Sequence, residues 1–147
     1  MPVFANRFRI LLLSLVLLGA CAPLISPYSE EAYRNATSLK ARSLALIAQS
    51  DEPYSAHSDQ ADQLMVDVDA AYEYVKGRTG NEVSVQQWAV IRDPVGGLLG
   101  EFIPRWQQAG KISAALSAES AILIARGFDT IICVEASKRA ATNCKGQ

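Results

Sequence analysis

Apolar residues in the middle of this chain recur at the spacing of an α-helix. Tyr54, His57, Ala61, Leu64, Val68, Ala71 and Val75 follow one another at alternating steps of three and four. That rhythm puts them in one stripe down a helix, a seam that faces neighbouring helices at a shallow crossing angle. Met65 and Tyr72 widen the stripe. Asp51 and Glu52 precede Pro53, which suits a helix start with proline at the first helical position. Gly77 is the predicted stop.

The flanking segments read as helices too. A first helix is predicted from about Ser29 to Gln49, with Ser29 as N-cap and Glu30 and Glu31 at the positive end of the dipole. Tyr33, Ala36, Leu39, Leu44, Leu46 and Ile47 form its apolar face, and Arg34, Lys40 and Arg42 look outward. After a turn at Thr79-Gly80-Asn81-Glu82, Ser84 is read as the cap of a short third helix. Gln87 completes a capping box, and Val83 and Trp88 form a hydrophobic staple. Asp93-Pro94 ends that helix, with Pro94 opening the next segment at its first position. Gly96, Gly97, Gly100 and Pro104 interrupt the apolar stretch Pro94 to Gln108, which predicts a broken helix kinked near Gly100. Gly110 stops it.

Ser113 is the predicted cap of a last helix running from Ala114 to about Ala140. This helix is apolar nearly all round, most densely at Ala121-Ile122-Leu123-Ile124-Ala125, which predicts a central position. Gly127 is read as a point of close helix approach. No segment alternates with period two for long; Val83-Ser84-Val85 is the nearest, and it is better read as a cap. The fold class is therefore all-α: an antiparallel bundle of about four helices, the third broken, over residues 29–141, with residues 142–147 as a tail.

The first residues obey different rules. From Ile10 to Leu18 every residue is apolar except Ser14, and Arg7 and Arg9 precede the run with no acid among them. These are the parts of a secretory signal; the run falls short of the ~20 residues of a membrane span. It ends in Leu18-Gly19-Ala20-Cys21, which resembles the lipobox of bacterial lipoproteins: an aliphatic residue, two small residues, then cysteine. The resemblance covers the first 21 residues. It implies a diacylglycerol thioether on Cys21, cleavage before it, and acylation, palmitate being the usual chain, of the freed amino group. Several acyl chains hold a protein on a bilayer firmly. Residues 1–20 are then a signal peptide and 21–28 a lipidated tether stiffened by Pro23 and Pro27. Ala22 stands where an aspartate commonly marks inner-membrane retention, which implies the periplasmic leaflet of the outer membrane. The other reading is a plain signal peptide with an incidental cysteine.

Cleavage would leave 127 residues, with twelve basic side chains against fifteen acidic, a net charge of −3. That length suits one domain, and the charge argues against nucleic acid as a partner. Cys133 and Cys144 are an even pair in an oxidising compartment. Continuous helix would hold them ~16 Å apart, beyond the ~7 Å limit for a disulfide. A bridge therefore needs the helix to end near Ala140 and the tail to fold back; otherwise Cys133 is buried and the tail thiol free.

No motif for a reaction emerges. His57 is the only histidine; on an apolar seam it reads as a packing residue with one hydrogen bond. Asp51, Glu52, Asp59, Asp62, Asp67, Asp69 and Glu73 form a base-free acidic stretch. A helix face spreads such carboxylates apart, whereas calcium needs convergent oxygens from a loop. A solvated face partly neutralised by Arg34, Lys40 and Arg42 is expected, with no metal and no cofactor. Tyr33, Tyr54, Tyr72 and Tyr74 read as packing. Gly96 to Gly100 lacks the lysine and hydroxyl residue of a phosphate loop. Leu98, Phe102 and Trp106 there make a candidate partner surface, set against close packing at the kink.

The expected function is a non-enzymatic binding or structural role at the membrane, with an envelope protein as partner and no small-molecule ligand. The domain also resembles small helical lipoproteins of proteobacteria in the runs Ile25-Ser26-Pro27-Tyr28 and Ala71-Tyr72-Glu73-Tyr74, a resemblance that brings no activity. The alternative is a small-ligand carrier or enzyme with a cavity near His57, Tyr72 and Trp88.

Overall fold

The computed structural model describes residues 25–139 and Cys144. Cys21, the signal-like run and most of the expected tail lie outside the described residues. Among the described residues there are five α-helices, one 3-10 turn and no strand. They are α1 (Glu30–Ile47), α2 (Ser58–Lys76), α3 (Glu82–Arg92), α4 (Leu99–Ala109) and α5 (Ala114–Ser137), with the 3-10 turn at Tyr54–Ala56 between α1 and α2.

Four helices close a ring: α1 packs on α2 and α5, and α3 packs on α2 and α5. The connections are short, so successive legs run antiparallel. The third leg is a composite. With 11 residues, α3 rises ~16 Å, whereas the 24 residues of α5 rise ~36 Å. After a turn, α4 continues in the direction α3 cannot reach, and Leu99, Phe102, Ile103 and Trp106 complete the core at that end. The seam predicted for α2 is buried from Ala61 to Val75, at the five positions Ala61, Leu64, Val68, Ala71 and Val75.

The helix ends follow local chemistry, with corrections. The Ser29 Oγ accepts the Ala32 amide at 3.2 Å, and the Ser113 Oγ accepts that of Leu116 at 3.4 Å. Pro53 is not the first residue of α2: it precedes the 3-10 turn, and α2 begins after His57. The Tyr54 amide donates to the Gly110 carbonyl (2.8 Å), and that pull from α4's end breaks the expected single helix. Gly77 ends α2 with φ −70, and the left-handed step falls on Gly80 instead.

Ser84 is not a cap. Helix α3 starts two residues earlier, at Glu82, and Ser84 is buried inside it. Val83 is exposed, so no staple forms. Pro94 opens a turn, not a helix; the Asp93 Oδ1 accepts the Val95 amide at 2.9 Å. Nor does a kink fall at Gly100. There α4 runs unbroken to Ala109 with Pro104 inside it, and Gly100 lies against the end of α3.

The last helix is not central. Of the five residues Ala121 to Ala125 only Ile124 is buried, and Ile122 and Leu123 are 54 % and 48 % exposed. One face, Ile124, Phe128, Ile131 and Glu135, meets the core, and Ile122, Leu123 and Arg126 on the other side are exposed. Gly127 does admit a close approach: a Cβ there would stand 2.5 Å from the Leu98 Cδ1 and 2.8 Å from the Ile91 Cδ1.

The glycine contacts yield a paired prediction. A Cβ at Gly100 would lie 2.1 Å from the Arg92 carbonyl oxygen, a backbone atom that cannot swing aside. Gly100→Ala should destabilise the domain by about 1–3 kcal/mol or more, outweighing the ~1 kcal/mol that alanine normally gains in a helix. At Gly77 the nearest atoms are 3.5 and 3.7 Å away, so Gly77→Ala should be neutral or mildly stabilising. Urea midpoints of the two variants check the contrast; equal midpoints would refute the close contact of α3 and α4.

Candidate functional site

One end of the bundle gathers most of its buried polar groups, Ser26, Ser29, Asn81, Ser84 and Glu135. Residues 25–29 arrive there, α2 ends, α3 begins and α5 ends. The Ser26 amide donates to the Gly80 carbonyl at 2.8 Å, and Arg78 donates through NH2 to the Pro27 carbonyl at 2.5 Å. The segment before α1 is thus held on the bundle.

Beneath it lies Glu135, 2 % exposed. Its Oε1 accepts the Ser29 amide at 2.6 Å, and its Oε2 accepts from the Lys138 ammonium at 2.6 Å. Lys138 is itself almost fully buried and also donates to the Asn81 Oδ1 (2.6 Å) and the Ser84 Oγ (3.2 Å). These three partners use all three of its N–H donors. The Asn81 Nδ2 donates in turn to the Val75 carbonyl at 2.9 Å, closing the end of α2. The Arg78 NH1 stands 3.6 Å from the Glu135 Oε1, too far for a hydrogen bond but close enough to attract it. Chemically the cluster is a neutralised lock: its lysine and carboxylate are each engaged and shielded.

Beside the lock opens a cavity of about 420 Å³, lined among others by Ile25, Val83, Val134, Lys138 and Cys144. Cys144, on its wall, is bridged to Cys133, their Cα atoms 5.8 Å apart. The pair can meet because α5 ends at Ser137, so that Cys144 is not held on the same continuous helix as Cys133.

The expected partner surface is divided. Trp106 is fully buried and Phe102 nearly so, and the Trp106 indole donates to the Glu52 carbonyl at 3.1 Å. Trp106 is therefore a core residue and not a surface anchor. Leu98 and Phe102 border a shallow pocket of about 200 Å³ between α4 and α5, with Glu101, Arg105 and Leu123 on its wall. The glycines around them serve close packing of α3 and α4.

His57, Tyr72 and Trp88 do not converge. His57 faces the Trp106 ring, centroids 5.6 Å apart, and its Nε2 meets the Glu52 Oε2 at 2.9 Å. Tyr72 lies under the Arg92 guanidinium at 4.3 Å. Trp88 is buried edge-on to Phe128, away from the Trp106 ring that His57 faces. The four tyrosines scatter likewise: Tyr33 packs near Tyr28, Tyr54 meets Trp106 edge-on, and the Tyr74 hydroxyl lies 2.9 Å from the Ser29 Oγ. Burial pushes the Tyr54 phenol's pKa up, with Asp62 adding to the shift.

The acidic stretch is neutralised by partly different bases from those expected. Arg42 pairs with Asp67 (2.6 Å) and Arg92 with Asp69 (2.7 Å). Lys40 instead reaches Asp129 on α5, and Arg34 pairs with Glu31 on its own helix. Among the described residues no three metal-ligating side chains converge, and no helix is long and apolar enough to cross a membrane.

Fold and site define an all-α bundle whose end is locked by a buried ion pair. No protein-family model, curated protein or solved structure matches the chain.

The lock makes a specific forecast. Glu135→Leu strands a buried ammonium and should cost about 3–5 kcal/mol. Adding Lys138→Met removes the stranded ammonium, so the double variant should recover part of that loss, although the Ser29 amide and the Arg78 guanidinium still lack the carboxylate and Asn81 and Ser84 lack their donor. Urea unfolding of the two variants reads this; a double variant less stable than the single one would show that the two residues do not act as a pair.

Proposed function

We propose that this is a lipid-anchored protein of the bacterial cell envelope, held in the periplasmic leaflet of the outer membrane by an acylated Cys21. Its helical domain binds another envelope component and catalyses no reaction. The observation that carries this reading is Leu18-Gly19-Ala20-Cys21 at the end of an arginine-led apolar run. Two features support it. The chain between Cys21 and the bundle is short, and residues 26 and 27 are already held by Gly80 and Arg78; the domain would stand close over its anchor. The polar groups best suited to chemistry are also committed to structure: the Lys138 ammonium by three acceptors and His57 by Glu52 and Trp106.

Metabolic labelling with radioactive palmitate tests the anchor. The parent chain should incorporate label and fractionate with outer membranes; Cys21→Ser should lose the label and leave the membrane pellet. A serine variant retained as firmly as the parent would overturn the proposal.

A further inference from the structure

The outer face of α5 is unusual for a surface. Ala115, Glu119, Ile122, Leu123, Arg126 and Thr130 are all exposed, opposite the buried face of Ile124, Phe128, Ile131 and Glu135. Ile122 and Leu123 are among the large apolar residues the fold leaves in water. Glu119 and Arg126 flank them, and neither forms an ion pair among the described residues.

The order of residue types in this stripe is self-complementary. Lay a second α5 antiparallel on the first, with the two-fold axis between Ile122 and Leu123. Ile122 then faces the other copy's Leu123, Ala115 faces Thr130, and Glu119 faces Arg126. Helical spacing alone makes the positions symmetric; it does not dictate the chemistry. Here the central pair is apolar, the next pair carries opposite charges, and the outer pair is small. An isologous interface requires that match, because each residue meets its symmetry mate's counterpart.

We infer that α5 is the dimer interface of this protein, pairing antiparallel with a second copy through Ile122 and Leu123 and closed by two reciprocal Glu119–Arg126 ion pairs. The occupant is another copy of this chain. An unrelated partner would have no cause to mirror the stripe's own charge order. The inference does not depend on the lipid anchor, so its failure would leave that reading standing.

The test uses the full chain, in native membranes and in mild detergent. Leu123→Cys and Ile122→Cys lie beside the axis and should give a disulfide-linked dimer on mild oxidation. Val66→Cys, on α2 and 60 % exposed, should remain monomeric. Glu119→Arg or Arg126→Glu creates two like-charged contacts per dimer and should weaken association, read by sedimentation, on the order of 10-fold or more. The exchange Glu119→Arg with Arg126→Glu should restore it. A monomer at every concentration, crosslinking no better at position 123 than at 66, a crosslink to a different protein instead of a second copy, or a double exchange that fails to rescue would each overturn the inference.

Discussion

The fold turns on one buried charge. Glu135 occupies the core stripe of α5, four residues after Ile131, where water cannot solvate it. An ionised carboxylate in that position is tolerable only with hydrogen-bond donors and an opposite charge in fixed geometry. The structure supplies them from three separate segments, Ser29 before α1, Arg78 after α2 and Lys138 after α5, and Asn81 and Ser84 at the start of α3 accept the remaining Lys138 protons. Each of those segments is thereby placed relative to the others. Hydrophobic burial drives the helices together without prescribing how their ends meet. The ion pair narrows the choice, because pulling these ends apart would strand the Glu135 carboxylate and the Lys138 ammonium in the core.

The opposite end is closed by different physics. There Trp106 packs against the rings of Tyr54, His57 and Phe102, and backbone bonds tie the loop after α1 to the turn before α5: Tyr54 to Gly110 and Ile112 to Ser50. The short third leg explains why this end needs an added helix. Once α3 stops at Arg92, α5 runs on with no leg beside it on the α3 side. Helix α4 fills part of that gap only by pressing Gly97 and Gly100 onto the backbone of Arg92 and Asp93. The glycines that looked like a hinge are contact surfaces.

Periodicity carried the bundle into view. The stripe from Ala61 to Val75, the serine caps at Ser29 and Ser113 and the close approach at Gly127 follow from spacing and local chemistry, and the structure has them. What spacing could not supply was competition between distant groups. Ser84 has every local feature of a cap, yet the Lys138 ammonium claims its hydroxyl. Pro53 has those of a first helical residue, yet Gly110 takes the next amide. The ion-pair lock was legible in one respect: Glu135 continues the sequence Ile124, Phe128, Ile131 at steps of four, three and four, so an acid on a core stripe demanded a base. Lys138 stands one turn further on. Asn81 and Arg78, brought by the fold from more than fifty residues away, were beyond any such pattern. Trp106 shows the converse error: an aromatic among glycines resembles a surface anchor until the partner it anchors to turns out to be the protein's own loop.

The apolar density of α5 has two origins that sequence alone merges into one. Its inner stripe is apolar because it meets α1 and α3. Its outer stripe lies largely in water among the described residues, with only Leu123 bordering the pocket beside α4, so a second explanation is required, and the mirrored order of Glu119 and Arg126 provides it. A lipid on Cys21 and a two-fold axis through α5 would then constrain each other. Two copies anchored in one leaflet are related by an axis along the bilayer normal, and a two-fold axis crossing antiparallel helices runs perpendicular to them. Helix α5 would therefore lie flat over the membrane. Three residues separate Cys21 from Ile25, four Cα-to-Cα steps with a reach of at most ~14 Å, and Ile25 lines the cavity beside α5's last turn. The ion-pair end would sit over each anchor, with the two anchors at opposite ends of the paired helices. That spacing follows from rigid geometry, and it leaves the faces of α2 and α3 that carry Val66 and Val90 free of the dimer axis for whatever the envelope presents.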